Sequence, residues 1–251
     1  MAHIGYGYGS EWHLLHELGR RRETFTRAVE KATQLAGIEW LDHVERTDPK
    51  TGDRTVVERV GLDFLEESDP ARVKWEAAWP QSGGVHNWDA VGRASSGART
   101  SWVLLEAKGN TAEVTSSCAA TSTQSLVSIR KVLDDAKRQL GVPAAADWMK
   151  DFYQYCNRIA LLNCLVNCGV DAHLIFVYFT GDRADLGRAG RNCPVDESGW
   201  RDSLAIQDRH VALPVDSPIR IRVHRLFVPV HRANIAEQIL LPEYCRAEGN
   251  R

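Results

Sequence analysis

The sequence has no apolar run long enough to cross a membrane, and this absence excludes a helical membrane protein. Its longest apolar runs, such as 174–179, fall far short of the roughly 20 residues that a membrane-spanning helix needs. Residues 1–9 also lack the basic start and the apolar core of a secretory signal. We therefore expect a cytoplasmic protein that makes no use of a membrane.

The cysteines form no metal-binding motif, and the net charge is small. The chain has six cysteines and no CxxC pair. Without an export signal, such cysteines are typical of reduced, buried thiols rather than of disulfides or structural zinc. The formal net charge is -2, so any attraction to a nucleic-acid backbone must come from local clusters of arginine.

What is present is the composition of a folded domain. Hydrophobic residues make up 43% and charged residues 25% of the chain, close to globular averages, so a substantial core can be buried. The length allows one large α/β domain or two small domains. Because no repeat, linker or shift in composition divides it, we expect residues 1–251 to form a single domain.

Periodic patterns predict an α/β fold in which helices flank a sheet. Ser10 is a plausible N-cap for the first helix. The predicted helices are 10–37, 121–140 and 147–168, and the predicted strands are 72–79, 88–91, 102–108, 172–179 and 219–230. Turn signals predict a hairpin tip or exposed loop at 48–53, a flexible turn at 95–98 and a long loop or insertion at 181–200.

The predicted strand 102–108 changes from apolar to charged near its end. Residues two apart in a strand project from the same face, so Glu106 and Lys108 point together. Burying such charges costs several kcal/mol unless they are paired, solvated or bound to a metal ion. Asp89 lies on the preceding predicted strand, and a turn at 95–100 would bring its carboxylate near Glu106. Hard cations such as Mg²⁺ prefer such carboxylate oxygens, and a lysine can stabilise charge on a phosphate.

This arrangement, Asp89 followed by Glu106-Ala107-Lys108, resembles the D…ExK signature of the PD-(D/E)XK nuclease superfamily. The superfamily's order of elements is a helix, a three-strand meander carrying the signature, a helix and a further strand, which is similar to the order predicted for this chain. The resemblance implies a restriction-endonuclease-like core with a central mixed β-sheet flanked by helices. It covers a small part of the chain, and Trp88 stands where a proline often precedes the aspartate.

The resemblance also implies roles for individual residues. Asp89 and Glu106 would bind the metal ion, Mg²⁺ or Mn²⁺, and Lys108 would act at the scissile phosphate. Glu11 matches a helix-borne acid of many members, which would complete the metal site or position it. The stretch 154–158 resembles glutamine-bearing helices of some members. The implied function is a metal-dependent endonuclease, a hydrolase of phosphodiester bonds in nucleic acid, with DNA favoured as the substrate.

Alternatives stay open on the sequence alone. A match to ExK is common by chance, and Glu106 and Lys108 would otherwise be an exposed pair at a strand end. His13 and His16 fit a core-edge or solvent-facing pair better than a zinc site. A second functional hypothesis is a catalytically inactive nuclease-like module that binds nucleic acid or a protein partner, favoured by the missing proline and by the lack of a global basic charge.

The sequence does not distinguish DNA from RNA, single from double strands, or endonuclease from exonuclease activity. It also leaves open the recognition sequence and the biological pathway, whether defence, repair or mobile element. The oligomeric state is open too, with a homodimer among the options because dimers are common in the superfamily.

Overall fold

The computed structural model describes residues 9–41, 43–47, 51–52, 54–81, 85–97, 99–182 and 193–230. The helices are α1 (Ser10–Arg20), α2 (Arg22–Thr33), α3 (Pro70–Ala78), α4 (Thr123–Leu140), α5 (Tyr153–Asn167) and α6 (Arg201–Val211). The strands are β1 (Ile38–Trp40), β2 (Val44–Thr47), β3 (Arg54–Val57), β4 (Arg59–Val60), β5 (Asn87–Trp88), β6 (Ala90–Ser96), β7 (Arg99–Lys108), β8 (Asp171–Thr180) and β9 (Val223–Pro229). Within these ranges, no helix has the length and apolar character that a membrane crossing requires.

A five-stranded mixed sheet forms the centre of the fold, with the strand order β1-β6-β7-β8-β9. The first three strands in that order are antiparallel neighbours, whereas β8 runs parallel to both β7 and β9. The expected α/β class, with a central mixed sheet flanked by helices, is confirmed. Two small ribbons, β2–β3 and β4–β5, lie between β1 and β6 in the chain.

Both faces of the sheet are covered, because successive strand residues point to opposite sides. On one side Leu104 and Phe176 lie in a large core that α3, α4 and α5 complete. On the other side Leu105 and Ile175 pack with residues of α1 and α2. The central strands β7 and β8 are therefore apolar on both faces until β7 reaches its charged end.

The helix predicted over 10–37 is in fact two helices. The chain leaves helical geometry at Arg21, with φ -126° and ψ 24°. The N-cap is Gly9 rather than Ser10, without a side-chain capping bond, and α2 ends before the left-handed residue Gln34. Both α1 and α2 pack against the same face of the sheet, so the helical spacing of apolar residues continues across Arg21. The sequence pattern therefore did not reveal the end of α1.

The strand predicted over 72–79 is wrong, because these residues form most of α3. The Asp69 carboxylate accepts a hydrogen bond from Ala71 N at 2.8 Å, and a proline occupies the first turn. Both are signals for the start of a helix. Ala71, Trp75 and Trp79 are buried and lie four apart, a spacing that fits the helical period as well as the strand period.

Several predicted elements are confirmed with shifted ends. The predicted strands 102–108 and 172–179 correspond to β7 and β8, and the predicted helix 121–140 corresponds to α4. The predicted strand 88–91 is broken at Asp89, between the end of β5 and the start of β6. The predicted helix 147–168 begins later, at Tyr153, because the Asp147 side chain turns the chain by accepting from Met149 N at 3.1 Å. The predicted strand 219–230 also begins later, because a 3-10 helix covers Pro218–Arg222.

The predicted turns fall between the expected elements. Strands β2 and β3 pair on either side of the turn predicted at 48–53, of which 48–50 and 53 lie outside the described residues. Ser95 and Ser96 belong to β6, and Ala98 lies outside the described residues. In the predicted loop 181–200, positions 183–192 lie outside them, and a short 3-10 helix at Glu197–Trp200 buries Trp200.

Free cysteines were expected and are found in the described part of the chain. Cys156 and Cys193 are buried, as predicted, whereas Cys118, Cys164 and Cys168 are half-buried.

Candidate functional site

The two charged residues at the end of β7 point to the same face and are buried. Glu106 is 3% exposed and Lys108 is 9% exposed. Ala107, between them, faces the opposite core with α1 and α2. The alternative of an exposed pair at a strand end therefore does not fit the structure.

The Glu106 carboxylate receives hydrogen bonds on both of its oxygens. Oε1 accepts from Lys108 Nζ at 2.7 Å and from Gln154 Nε2 at 2.6 Å. Oε2 accepts from Arg158 Nε at 3.2 Å and from Arg158 Nη2 at 3.0 Å. Burial alone would raise the pKa of Glu106, but the charges of Lys108 and Arg158 outweigh it, so its pKa lies below the usual range. Glu106 is therefore ionised at neutral pH.

Asp89 lies beside Glu106, as the sequence predicted, although in the short link between β5 and β6 rather than within a strand. Ala90 pairs with Leu105, and Asp89 Oδ2 accepts a hydrogen bond from Ala107 N at 2.6 Å. Burial, and after it the neighbouring charge of Glu106, hold the pKa of Asp89 well above its usual range. The two acids thus differ in character, one stabilised as an anion and the other destabilised.

Glu58 is a third carboxyl group at this place, and no pattern in the sequence pointed to it. It lies between β3 and β4, and the pairing of Arg59 with Trp88 joins β4 to β5. Glu58 thereby accepts a hydrogen bond from the Asn87 side chain and lies within the electrostatic field of Glu106. Burial is the main cause that raises the pKa of Glu58.

Glu11 lies at the exposed rim of the group, in the first turn of α1. It is close enough to Glu58 to contribute to the raised pKa of that group. The start of α1 approaches the end of β7 closely, since a methyl group on Gly109 would lie 2.8 Å from Ser10 N. Only glycine fits there without a shift of the helix.

A buried contact anchors α1 in this position. His13 Nε2 lies 2.6 Å from Asp182 Oδ2, the same oxygen that accepts from Gly9 N at 3.1 Å. His13 is thus engaged with Asp182, and His16 is half-buried beside Glu17. The two histidines thus have different acidic neighbours.

Helix α5 supplies Gln154 and Arg158 to the group. The two residues lie four apart and therefore on one face of the helix. The Gln154 side-chain oxygen accepts from Lys108 Nζ at 2.7 Å. Arg158 also donates to the Asn87 carbonyl at 2.6 Å, and its guanidinium carbon lies 4.7 Å from the centre of the Trp88 ring. The sequence pattern of 154–158 indicated this helix, but not which partners it would reach.

The carboxyl groups of the site are of the type that binds a divalent cation, but they are not arranged as a metal site. Carboxylate oxygens are the ligands that Mg²⁺ and Mn²⁺ take, so the residue types fit such an ion. As they stand, however, no group of three or more His, Cys, Asp or Glu side chains in the described ranges is arranged to hold a metal ion. Both oxygens of Glu106 are instead engaged by Lys108, Gln154 and Arg158.

No family model matches the chain, and no curated protein or solved structure matches it with statistical significance. The resemblance to a nuclease superfamily therefore rests on Asp89, Glu106 and Lys108 and on the order of elements around them.

Proposed function

We propose that the chain is a single-domain, restriction-endonuclease-like nuclease of the cytoplasm that hydrolyses phosphodiester bonds of DNA with Mg²⁺ or Mn²⁺. The observation that carries the proposal is the buried Glu106–Lys108 pair beside Asp89. An acid held as an anion, an acid that resists ionisation and a lysine all meet at the end of one strand. Such perturbed groups cluster at functional sites more often than in ordinary structural positions.

The carboxyl groups suit a divalent cation on electrostatic grounds. Asp89 and Glu58 both have raised pKa values, mainly through burial, and each is raised further by the Glu106 carboxylate. A cation held by Asp89 and Glu106, with Glu58 and Glu11 beside it, would offset that repulsion. When bound, the cation would neutralise charge on the phosphate and make its bound water a better nucleophile.

The protein's own groups have separate tasks in this proposal. Lys108 donates from its ammonium to a phosphate oxygen and so stabilises the charge that develops there. Asp89, once ionised, and Glu106 supply the negative charge that holds the cation in place. Gln154, on the rigid helix α5, keeps Glu106 and Lys108 oriented through its hydrogen bonds to both.

A non-cutting module is the second candidate, and one observation favours it. Both oxygens of Glu106 are already engaged by protein donors, as they would be in a site kept only for structural reasons. Such a protein would bind nucleic acid or a protein partner with the same fold, but without a need for a metal ion.

Cleavage assays with matched variants separate the two functions. Plasmid DNA, linear DNA and RNA are each incubated with Mg²⁺, with Mn²⁺ and with a chelator. We expect metal-dependent cleavage of DNA that falls by about 10²–10³-fold in Lys108→Ala, the cost of removing one donor that stabilises developing charge. Lys137→Ala is the control, because Lys137 is also buried and paired but belongs to α4.

Equal, negligible activity in all conditions would reject the nuclease, as would full activity of Lys108→Ala. DNA binding that ignores metal ions and persists in Asp89→Ala would instead support the module.

A further inference from the structure

Glu106 is held by two cations whose surroundings differ. The Arg158 side chain is 4% exposed, whereas the Lys108 side chain is 11% exposed. Arg158 makes further contacts with the Asn87 carbonyl, the Asn157 side chain and the Trp88 ring. The planar guanidinium has several N–H donors in a fixed geometry, and these donors reach Glu106 and the Asn87 carbonyl at the same time. Moving Arg158 would therefore leave the buried Glu106 carboxylate without one of its two cationic partners, which is costly.

Lys108 is held by fewer partners than Arg158. Its charge is a compact ammonium on a flexible four-carbon stem, and it lies at the last residue of β7. Its ammonium donates hydrogen bonds to Glu106 Oε1 and to Gln154 Oε1, each at 2.7 Å. The ammonium can leave Oε1 by rotation of its own side chain, without a change in the backbone.

A divalent cation and the Lys108 ammonium cannot both use the same oxygen. The ammonium lies 2.7 Å from Glu106 Oε1, where a metal ligand oxygen would lie about 2.0–2.1 Å from Mg²⁺. The positive charges of the Lys108 ammonium and the divalent cation would then be close together, and they would repel each other strongly in a site shielded from water. Oε1 has one further bond, from the neutral amide Gln154 Nε2 at 2.6 Å, whereas Oε2 is turned toward the two donors of Arg158.

We propose that these two cations have opposite roles toward a divalent cation. Arg158 is a positioning residue that fixes Oε2 and so presents Oε1 as the metal-binding oxygen. Lys108 occupies the place of the cation until the cation displaces its ammonium. The inference rests on the proposed function, because the ligand is the same hard divalent cation. Its consequence is that cation binding and release of Lys108 toward a phosphate are one event.

Titration calorimetry of the full chain with Mn²⁺ tests the two roles by effects of opposite sign. Arg158→Lys keeps the positive charge but loses the fork, and we expect Mn²⁺ to bind about 10–100-fold more weakly, as when other partners of metal ligands are changed. Lys108→Met removes the competing charge, and we expect Mn²⁺ to bind at least about tenfold more tightly. Thermal unfolding in chelator shows that each variant is folded.

Two controls match these changes away from the site. Arg225→Lys alters a half-buried arginine that pairs with Asp208 of α6. Lys137→Met alters a buried lysine that donates to the carbonyls of Ala144 and Ala146. Both controls should lower stability and leave the affinity for Mn²⁺ unchanged.

Amine labelling followed by mass spectrometry provides a second measurement on the unmutated chain. We expect Lys108 to react slowly in chelator and several-fold faster with Mn²⁺, while Lys137, whose side chain is 9% exposed, stays slow in both. This readout does not depend on how any variant folds.

The possible outcomes separate this inference from the function on which it rests. If the unmutated chain binds no Mn²⁺, the proposed nuclease fails and the inference fails with it. If it binds Mn²⁺ but Lys108→Met binds no more tightly and Lys108 labelling does not change, the displacement is overturned while the nuclease stands. If Arg158→Lys binds as the unmutated chain does, the positioning role is overturned.

Discussion

The two central acids of the site should respond to neutralisation with opposite changes in stability. Glu106→Gln removes an anion that two cations stabilise, whereas Asp89→Asn removes one that burial and a neighbouring carboxylate destabilise. Measured in chelator, the first change should lower the free energy of unfolding and the second should raise it. The prediction concerns the folded protein alone and does not depend on catalysis.

The size of the Glu106 effect follows from its partners. The carboxylate accepts two hydrogen bonds from Arg158 and one from Lys108. A glutamine amide turns a donor toward one of these cations, so charge-assisted bonds worth about 1.5–3 kcal/mol each are lost. Leaving a buried charge without its partner typically costs about 3–5 kcal/mol, and we expect a loss in this range. The double change Glu106→Gln/Arg158→Gln should cost less than the sum of its parts.

The sign for Asp89 follows from linkage. The pKa of Asp89 is higher in the folded state than in the unfolded state, so between these two pKa values the protein takes up a proton when it folds. As the pH rises through this range, the Asp89 carboxyl therefore lowers the free energy of unfolding. Asparagine removes this cost and can still accept the hydrogen bond from Ala107 N. For Glu106, whose folded pKa is lowered, the stability that its charge contributes is present above the unfolded pKa and lost as the pH falls through the folded pKa.

The assay is denaturant unfolding at neutral pH, followed by tryptophan fluorescence, since the chain contains eight tryptophans. Glu23→Gln, at an exposed position of α2, is the control and should change stability by less than about 0.5 kcal/mol. A loss below about 1 kcal/mol for Glu106→Gln would refute the reasoning from a buried charge pair. A similar loss for Asp89→Asn would refute the assigned contrast between the two acids.

Three further changes have defined outcomes. Glu58→Gln should weaken Mn²⁺ binding by about tenfold or more in calorimetry. The Mn²⁺ affinity of the unmutated chain should rise with pH, because the raised pKa values of Glu58 and Asp89 keep protons on both carboxyl groups. An unchanged affinity in either experiment would contradict these roles. Burial lowers the pKa of His173 to about 4, so stability should fall as the pH drops from about 6.5 to about 4, by at most roughly 2 kcal/mol after allowance for its partial exposure. His173→Asn should flatten that part of the pH profile in denaturant unfolding, and an unaltered profile would contradict the assignment. Gly109→Ala places a methyl group 2.8 Å from Ser10 N and should cost about 1–3 kcal/mol, as other overpacking changes do; a neutral result in thermal unfolding would show that the start of α1 yields freely.

The parts of the fold that local pattern decides were predictable from the sequence. The apolar run of β7 and its charged end required only the alternation of side chains along a strand, and this placed Glu106 and Lys108 on one face. The same reasoning failed at α3, because buried residues spaced four apart satisfy both periods. There the decisive signal was the Asp69 cap and the proline that follows it.

The parts that depend on distant contacts were not predictable in this way. Glu58 reaches the site through β4 and β5, two strands of two residues each, too short to leave a periodic signal. Arg158 lies in a helix that is otherwise mostly buried and apolar, where an arginine has a partner that only the assembled fold reveals. The local sequence pattern thus predicted Glu106 and Lys108, but it did not predict that Glu58 and Arg158 would lie beside Glu106.

Trp88 restricts how this chain can change over evolutionary time. Its backbone pairs with Arg59, and its indole donates to the Gly61 carbonyl at 2.8 Å. Proline has no backbone donor and no aromatic ring, so it would supply neither the indole bond nor the surface beneath the Arg158 guanidinium. A lineage that acquired proline at this position would lose the surface on which Arg158 rests, so the effects of changes at the two positions should be coupled.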